Sequence, residues 1–132
     1  MERVMGIGGV FFKCTDKEAV ANWYRDNLGI PLEEWGGAVF SWKANDERSD
    51  ACTVWCPFPS DTTYFAPSTK GFMVNFRVSD LDAMLEQLRN NGCDVDEKVD
   101  ESELGKFGWV LDPEGNRIEL WQPPATPPTT ES

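Results

Sequence analysis

The chain repeats itself, and the repeat bounds its fold more tightly than any other feature. Gly9 to Asn27, GVFFKCTDKEAVANWYRDN, aligns without a gap on Met73 to Asn91, MVNFRVSDLDAMLEQLRNN, 64 residues later. Val10 meets Val74, Phe12 meets Phe76, Lys13 meets Arg77, Asp16 meets Asp80, Ala19 meets Ala83, Arg25 meets Arg89 and Asn27 meets Asn91. Two copies of one supersecondary unit in 132 residues mean two small modules sharing one core. Each copy opens on a strand-like run. A helix start follows, TDKE from Thr15 and SDLD from Ser79, with a capping hydroxyl and an acid three residues on. Ala19, Val20, Trp23 and Leu28 supply the apolar face of the first helix, and Leu81, Met84, Leu85 and Leu88 that of the second. The helices end at NLG and NNG, where glycine takes the left-handed conformation.

After each helix come runs of strand character. The first copy has PLEEW, GAVFSWK and ACTVWCPF, with ANDERSD as a loop. The second has DVDEKV, GKFGWVL and RIELWQP, with DPEGN as a loop. FSW matches FGW, and TVWCP matches ELWQP. Each module therefore reads βαβββ, an α+β fold: the first module over 1–58, a connector over 59–70, the second module over 71–123, and a Pro-rich tail over 124–132 expected to be disordered. One helix covers one face of a four-stranded sheet, so the free faces of the two modules curve toward each other and enclose a cup. Tyr64 and Phe65, embedded in the connector, line a dimer seam, lid the cup or simply pack.

Strand side chains alternate with period two. On that count the cup receives Gly9, Phe11 and Lys13, Met73, Asn75 and Arg77, Thr53 and Trp55, and Glu119 and Trp121. The helices receive Val10, Phe12, Cys14, Val74, Phe76, Val78, Cys52, Val54, Cys56, Ile118 and Leu120. Glu119 is either a solvated residue on a partly exposed face or a carboxylate inside a cavity. In a cavity it needs compensation, because an unpaired buried carboxylate costs several kcal/mol or takes up a proton. Lys13 and Arg77 either pair with it or reach solvent from the strand ends. The binding constellation so defined is Lys13, Arg77, Asn75, Thr53 and Glu119, walled by Phe11, Trp55 and Trp121, with Trp42 and Trp109 as further contributors.

The chain has no histidine. That excludes Ser-His and Cys-His nucleophile systems and any metal site built on imidazole. Twelve basic residues against twenty-three acidic give a net charge of −11, which argues against a polyanionic partner such as nucleic acid. Cys14, Cys52, Cys56 and Cys93 form no CxxC pair and read as buried free thiols rather than disulfides or reactive sites. No window approaches the roughly 20 apolar residues of a membrane span. MERVMGIGGVFFK has neither the flanks nor the cleavage site of a signal peptide, so the expectation is a cytoplasmic protein with no membrane partner.

Paired βαβββ modules, with KCTDKEAVANWYRDNLGI in the first and FGWVLDPEGNRIELW closing the second, resemble the vicinal oxygen chelate superfamily: glyoxalase I, bleomycin-resistance proteins and extradiol dioxygenases. The resemblance runs from about Val4 to Pro123. It implies metal ligands on the first and fourth strands, and these positions map to Gly9, Met73, Thr53 and Glu119, of which only Glu119 keeps the ligand type. The implied protein is metal-free and without a cofactor, often a homodimer. One reading is capture of a small molecule in a Trp-lined cup, as in the bleomycin-resistance branch. The other is a metal-independent lyase or isomerase with Glu119 as catalytic base and Lys13 or Arg77 stabilising an anion. A third is a vestigial cup in a protein that serves by association.

Overall fold

The first strands of the two modules meet side by side at the centre of the sheet. In the computed structural model, which describes residues 1–42 and 52–124, β1 (Val4–Cys14) runs antiparallel to β4 (Phe72–Val78). Val10 lies opposite Val74, Phe11 opposite Met73 and Gly9 opposite Asn75. The repeat carries Val10 on to Val74, so this pair sits on a pseudo-twofold axis and the two flanking pairs are images of each other. Outward from the seam, β3 (Cys52–Pro59) lies parallel to β1, and β8 (Arg117–Gln122) parallel to β4. β2 (Ala38–Ser41) and β7 (Gly105–Leu111) then add antiparallel, with β5 (Asp94–Val95) and β6 (Asp100–Ser102) on the far side of β7. Among the described residues the result is one eight-stranded mixed sheet with two helices, the expected α+β architecture.

The helices α1 (Lys17–Leu28) and α2 (Leu81–Asn90) start one residue later than the hydroxyl caps suggest. Asp16 accepts from the Ala19 amide and Asp80 from the Ala83 amide, each at 3.0 Å. A carboxylate at this end also meets the positive pole of the helix dipole, which Thr15 and Ser79 do not. Gly29, at φ 72°, closes α1 as expected.

The two halves are packed unequally. Leu81, Met84 and Leu85 of α2 are buried against Val78, Val110 and Leu120, forming one continuous core. In α1 only Ala21 is buried, while Trp23 and Leu28 are 56% and 61% exposed, contrary to the face expected for them. This helix docks instead through Tyr24, whose ring lies 4.8 Å from that of Trp55, which in turn meets Phe12 at 5.6 Å.

PLEEW is a turn rather than a strand: the Glu33 amide donates to the Gly37 carbonyl and the Gly36 amide to that of Glu33. In DVDEKV only Asp94 and Val95 pair. The whole ANDERSD loop and the tail from Ala125 onward lie outside the described residues. No helix among those described is long and apolar enough to cross a membrane.

Candidate functional site

Inside the curve of the sheet a cavity of about 820 Å3 opens within the single chain. Phe11, Val54, Phe58, Phe107 and Trp121 are among its walls, and its polar side chains include Asn75, Tyr64 and Glu119. Glu119 is 1% exposed. The turn before it is built by Asp112, whose carboxylate accepts from the backbone amides of Glu114 and Asn116, with Gly115 at φ 83°. β8 leaves that turn with Arg117, Glu119 and Trp121 on one face, because they alternate, and that face is the cavity side.

Three donors converge on the carboxylate. Asn75 Nδ2 donates to Glu119 Oε1 at 2.7 Å, Trp109 Nε1 donates to Oε2 at 3.0 Å, and the Tyr64 hydroxyl donates to the same Oε2. Each comes from a different element: β4, β7 and the connector after β3. Tyr64 is 38% exposed as a residue, with its hydroxyl end turned inward and its ring stacked on Phe58 at 5.7 Å. Burial pushes the Glu119 carboxyl above its ordinary 4.5, against the pull of these hydrogen bonds and of Arg117. Burial and the neighbouring Glu119 charge likewise push the Tyr64 hydroxyl up, so Tyr64 remains a donor.

Arg117 holds two of the three donors in place. Its Nη1 donates to the Tyr64 carbonyl at 2.6 Å, and its guanidinium lies 4.6 Å from the Trp109 ring centroid. Nη2 pairs with Asp96 at 3.3 Å. The Lys98 backbone amide, followed by Arg117, holds the Asp96 carboxyl below its usual range.

Of the residues expected in the cup, Phe11, Asn75, Glu119 and Trp121 line the cavity, and Met73 and Trp109 are buried beside Phe11 in one cluster. Lys13 and Arg77 are on the expected face but not against Glu119. The Lys13 ammonium lies 5.7 Å from the Phe65 ring, and the Arg77 guanidinium 5.8 Å from the Trp42 ring.

Thr53 and Trp55 are on the opposite face from the one expected. Trp55 packs under α1, and the Thr53 hydroxyl accepts from Trp42 Nε1 and donates to the Ile7 carbonyl. The cause is a slip in alignment. Asn75 pairs with Glu119, and its repeat mate Phe11 pairs with Cys56, so Glu119 corresponds to Cys56 and not to Thr53. Three residues is an odd shift, and an odd shift exchanges the faces of a strand. Cys52, Val54 and Cys56 accordingly turn inward, the first two lining the cavity. None of the four cysteines is in a disulfide; Cys14, Cys52 and Cys56 are partly buried, but Cys93 is exposed, not buried as expected. Burial pushes the Cys14 and Cys56 thiols up.

The sequence reading passed over Arg117 and left Tyr64 undecided. Alternation already put Arg117 on the face of Glu119, two residues away. A further detail is the bulge in β1 between Ile7 and Gly9, which turns both Gly8 and Gly9 inward. A Cβ at Gly8 would stand 2.3 Å from Asn75 Oδ1, so the Asn75 amide requires glycine there.

The metal that the resemblance implies for its metalloenzymes does not fit these residues. With the register corrected, the ligand positions are Gly9, Cys56, Met73 and Glu119. Gly9 offers no side chain, Met73 a soft thioether, and Glu119 oxygens that already accept three hydrogen bonds. Among the described residues no group of three or more His, Cys, Asp or Glu stands together to hold a metal ion.

A family model for the glyoxalase-like domain matches residues 9–121. Among solved structures, methylmalonyl-CoA epimerase from Mycobacterium tuberculosis is 24% identical, with 92% of this chain and 89% of that chain covered and a TM-score of 0.61. A variant of the Streptomyces coelicolor methylmalonyl-CoA epimerase, in complex with 2-nitronate-propionyl-CoA, is 17% identical over 93% of this chain and 100% of that chain, at 0.67. A Legionella pneumophila chain described as an NAD-dependent benzaldehyde dehydrogenase is 14% identical over 88% and 98%, at 0.60. Identities this low show a shared fold alone. Among curated proteins no sequence matches.

Proposed function

This chain belongs to the glyoxalase-like family of the vicinal oxygen chelate superfamily, and on that premise we propose that it captures a small, largely apolar molecule in the cup without transforming it. The observation that carries this reading is a carboxylate, 1% exposed, fixed by three donors at the floor of an aromatic-walled cavity. Such a group orients a ligand, because its own rotamer is locked from three sides. It is poorly equipped to shuttle protons. Oε2 is filled by Tyr64 and Trp109, the Tyr64 hydroxyl keeps its proton, and Lys13 is engaged over Phe65 rather than at the floor. The coenzyme A thioesters named with the structural neighbours carry phosphates, and the described residues that line this cavity include no Lys or Arg to receive them.

A second reading, a metal-independent isomerase or lyase with Glu119 as base, draws on one observation. Burial raises the Glu119 carboxyl toward the range in which a general base works near neutral pH.

The two separate in one experiment. Protein purified gently from its host is subjected to native mass spectrometry, and any retained organic molecule is incubated with fresh protein in D2O. Retention of an unchanged mass, lost in Glu119→Gln, is the expected result. Deuterium incorporation or a product mass that requires Glu119 would move catalysis to the front. The same spectrum reads the subunit count, which we propose is two.

A further inference from the structure

The floor of the cavity has a one-sided hydrogen-bonding inventory. Tyr64 and Trp109 spend their single donors on Glu119, Asn75 gives one of its two Nδ2 hydrogens to the same carboxylate, and Trp121 Nε1 donates to the Leu104 carbonyl at 2.8 Å. Besides the second Asn75 N–H, what remains there is acceptors. An ionised carboxylate offers about four lone-pair sites, and three of those on Glu119 are taken, leaving one on Oε1. Asn75 Oδ1 is buried, in a residue 2% exposed, and has no hydrogen-bond partner among the described residues. Gly8, which also lines the cavity, lets Oδ1 lie there, since a Cβ at that position would stand 2.3 Å from it. Two unfilled acceptors on neighbouring side chains, in a buried place, call for donors from outside the protein, since an unmet buried acceptor is costly. No cation lines the cavity among the described residues, and the chain carries −11 overall. The walls are ring faces: Phe58 and, stacked on each other at 6.1 Å and 10°, Phe107 and Trp121. Such faces accept planar rings and tolerate positive charge over them.

We propose that the ligand is a planar aromatic compound presenting an N–H or O–H donor and no negative charge, with that donor delivered between Glu119 Oε1 and Asn75 Oδ1. The proposal rests on the capture reading and adds the class of molecule captured. Neutral and cationic donors both fit; a carboxylate or phosphate on the buried end does not.

The test is a matched set of probes sharing one ring system: 2-naphthamidine, 2-naphthamide, naphthalene and 2-naphthoate, titrated calorimetrically or by Trp fluorescence. The amidine and the amide are expected to bind roughly tenfold more tightly than naphthalene. The amidine is expected to exceed 2-naphthoate by roughly a hundredfold. Glu119→Gln should bring the amidine down to the level of the amide, and Asn75→Leu should lower both; the second variant carries the test if the first does not fold. Naphthalene or 2-naphthoate binding as well as the amidine would overturn the ligand class while leaving capture intact. Failure of all four probes, with Nile red also excluded from the protein, would overturn both.

Discussion

Replacing Tyr64 by Phe deletes one oxygen and leaves the ring stacked on Phe58. The lost bond is a hydroxyl donating to a buried carboxylate, worth about 1.5–3 kcal/mol when the acceptor is charged. Because Tyr64 is 38% exposed, water replaces part of it, which places the expected loss near the low end, about 1.5 kcal/mol. For a chain of this size that lowers the melting temperature by about 5 °C. The loss must depend on pH. The folded carboxyl of Glu119 titrates above its ordinary 4.5, so it favours folding below that pH, and the contribution disappears as pH rises through the folded value. Removing a donor to the charged form raises the folded value further, so the variant loses more than the wild type as pH rises. At pH 3.5, with the carboxyl protonated in both, the difference between the two proteins shrinks to about 0.5 kcal/mol. Urea unfolding of both proteins at pH 8 and pH 3.5 measures this directly. An equal loss at both pH values, or none at pH 8, would refute the placement of the hydroxyl on an ionisable Glu119.

Other perturbations probe the rest of the site. Arg117→Ala and Arg117→Lys should each cost about 2–3 kcal/mol in urea unfolding, because lysine cannot reproduce the fork that spans Tyr64 and Asp96. Met73→His with Cys56→Glu, in a Tyr64→Phe background that frees Oε2, should bind Co2+ or Zn2+ by calorimetry. Exchanging Cys56→Glu for Thr53→Glu should abolish that gain, because Thr53 faces away; the reverse ranking would mean the register is wrong. Leu85→Ala, at 2% exposure in the α2 core, should cost about 2–5 kcal/mol, and Leu28→Ala, at 61% exposure, almost nothing.

The repeat was legible because its strands and helix starts recur at one spacing; that the repeat mates Val10 and Val74 also face each other at the seam emerges only from the strand pairing. The inward set on β4 followed from alternation, which no bulge disturbs there. Alternation failed on β3, where Trp and Pro in TVWCP and ELWQP match at a spacing that the pairing of β3 with β1 does not obey. Residue identity aligned the wrong tryptophans: Trp121 lines the cavity, and Trp55 supports α1. The ion pairs expected from Lys13 and Arg77 assumed that any cation on the right face would find the buried acid. What stabilises Glu119 is chiefly neutral donors, two of them fixed by Arg117, and side chains brought in from a connector leave no periodic trace in a sequence.

The pseudo-twofold axis bears on how many ways a guest can sit. A perfectly duplicated cup would present the same surface to a molecule and to its half-turned image, giving two equivalent poses and no distinction between the two ends of a guest. Here the counterparts have diverged: Asn75 answers to Phe11, and Glu119 to Cys56. One wall reads polarity while its twin supplies only shape. The repeat thus supplies the enclosure, and the divergence of two residue pairs gives it a direction, so that the proposed guest would have one end distinguished from the other.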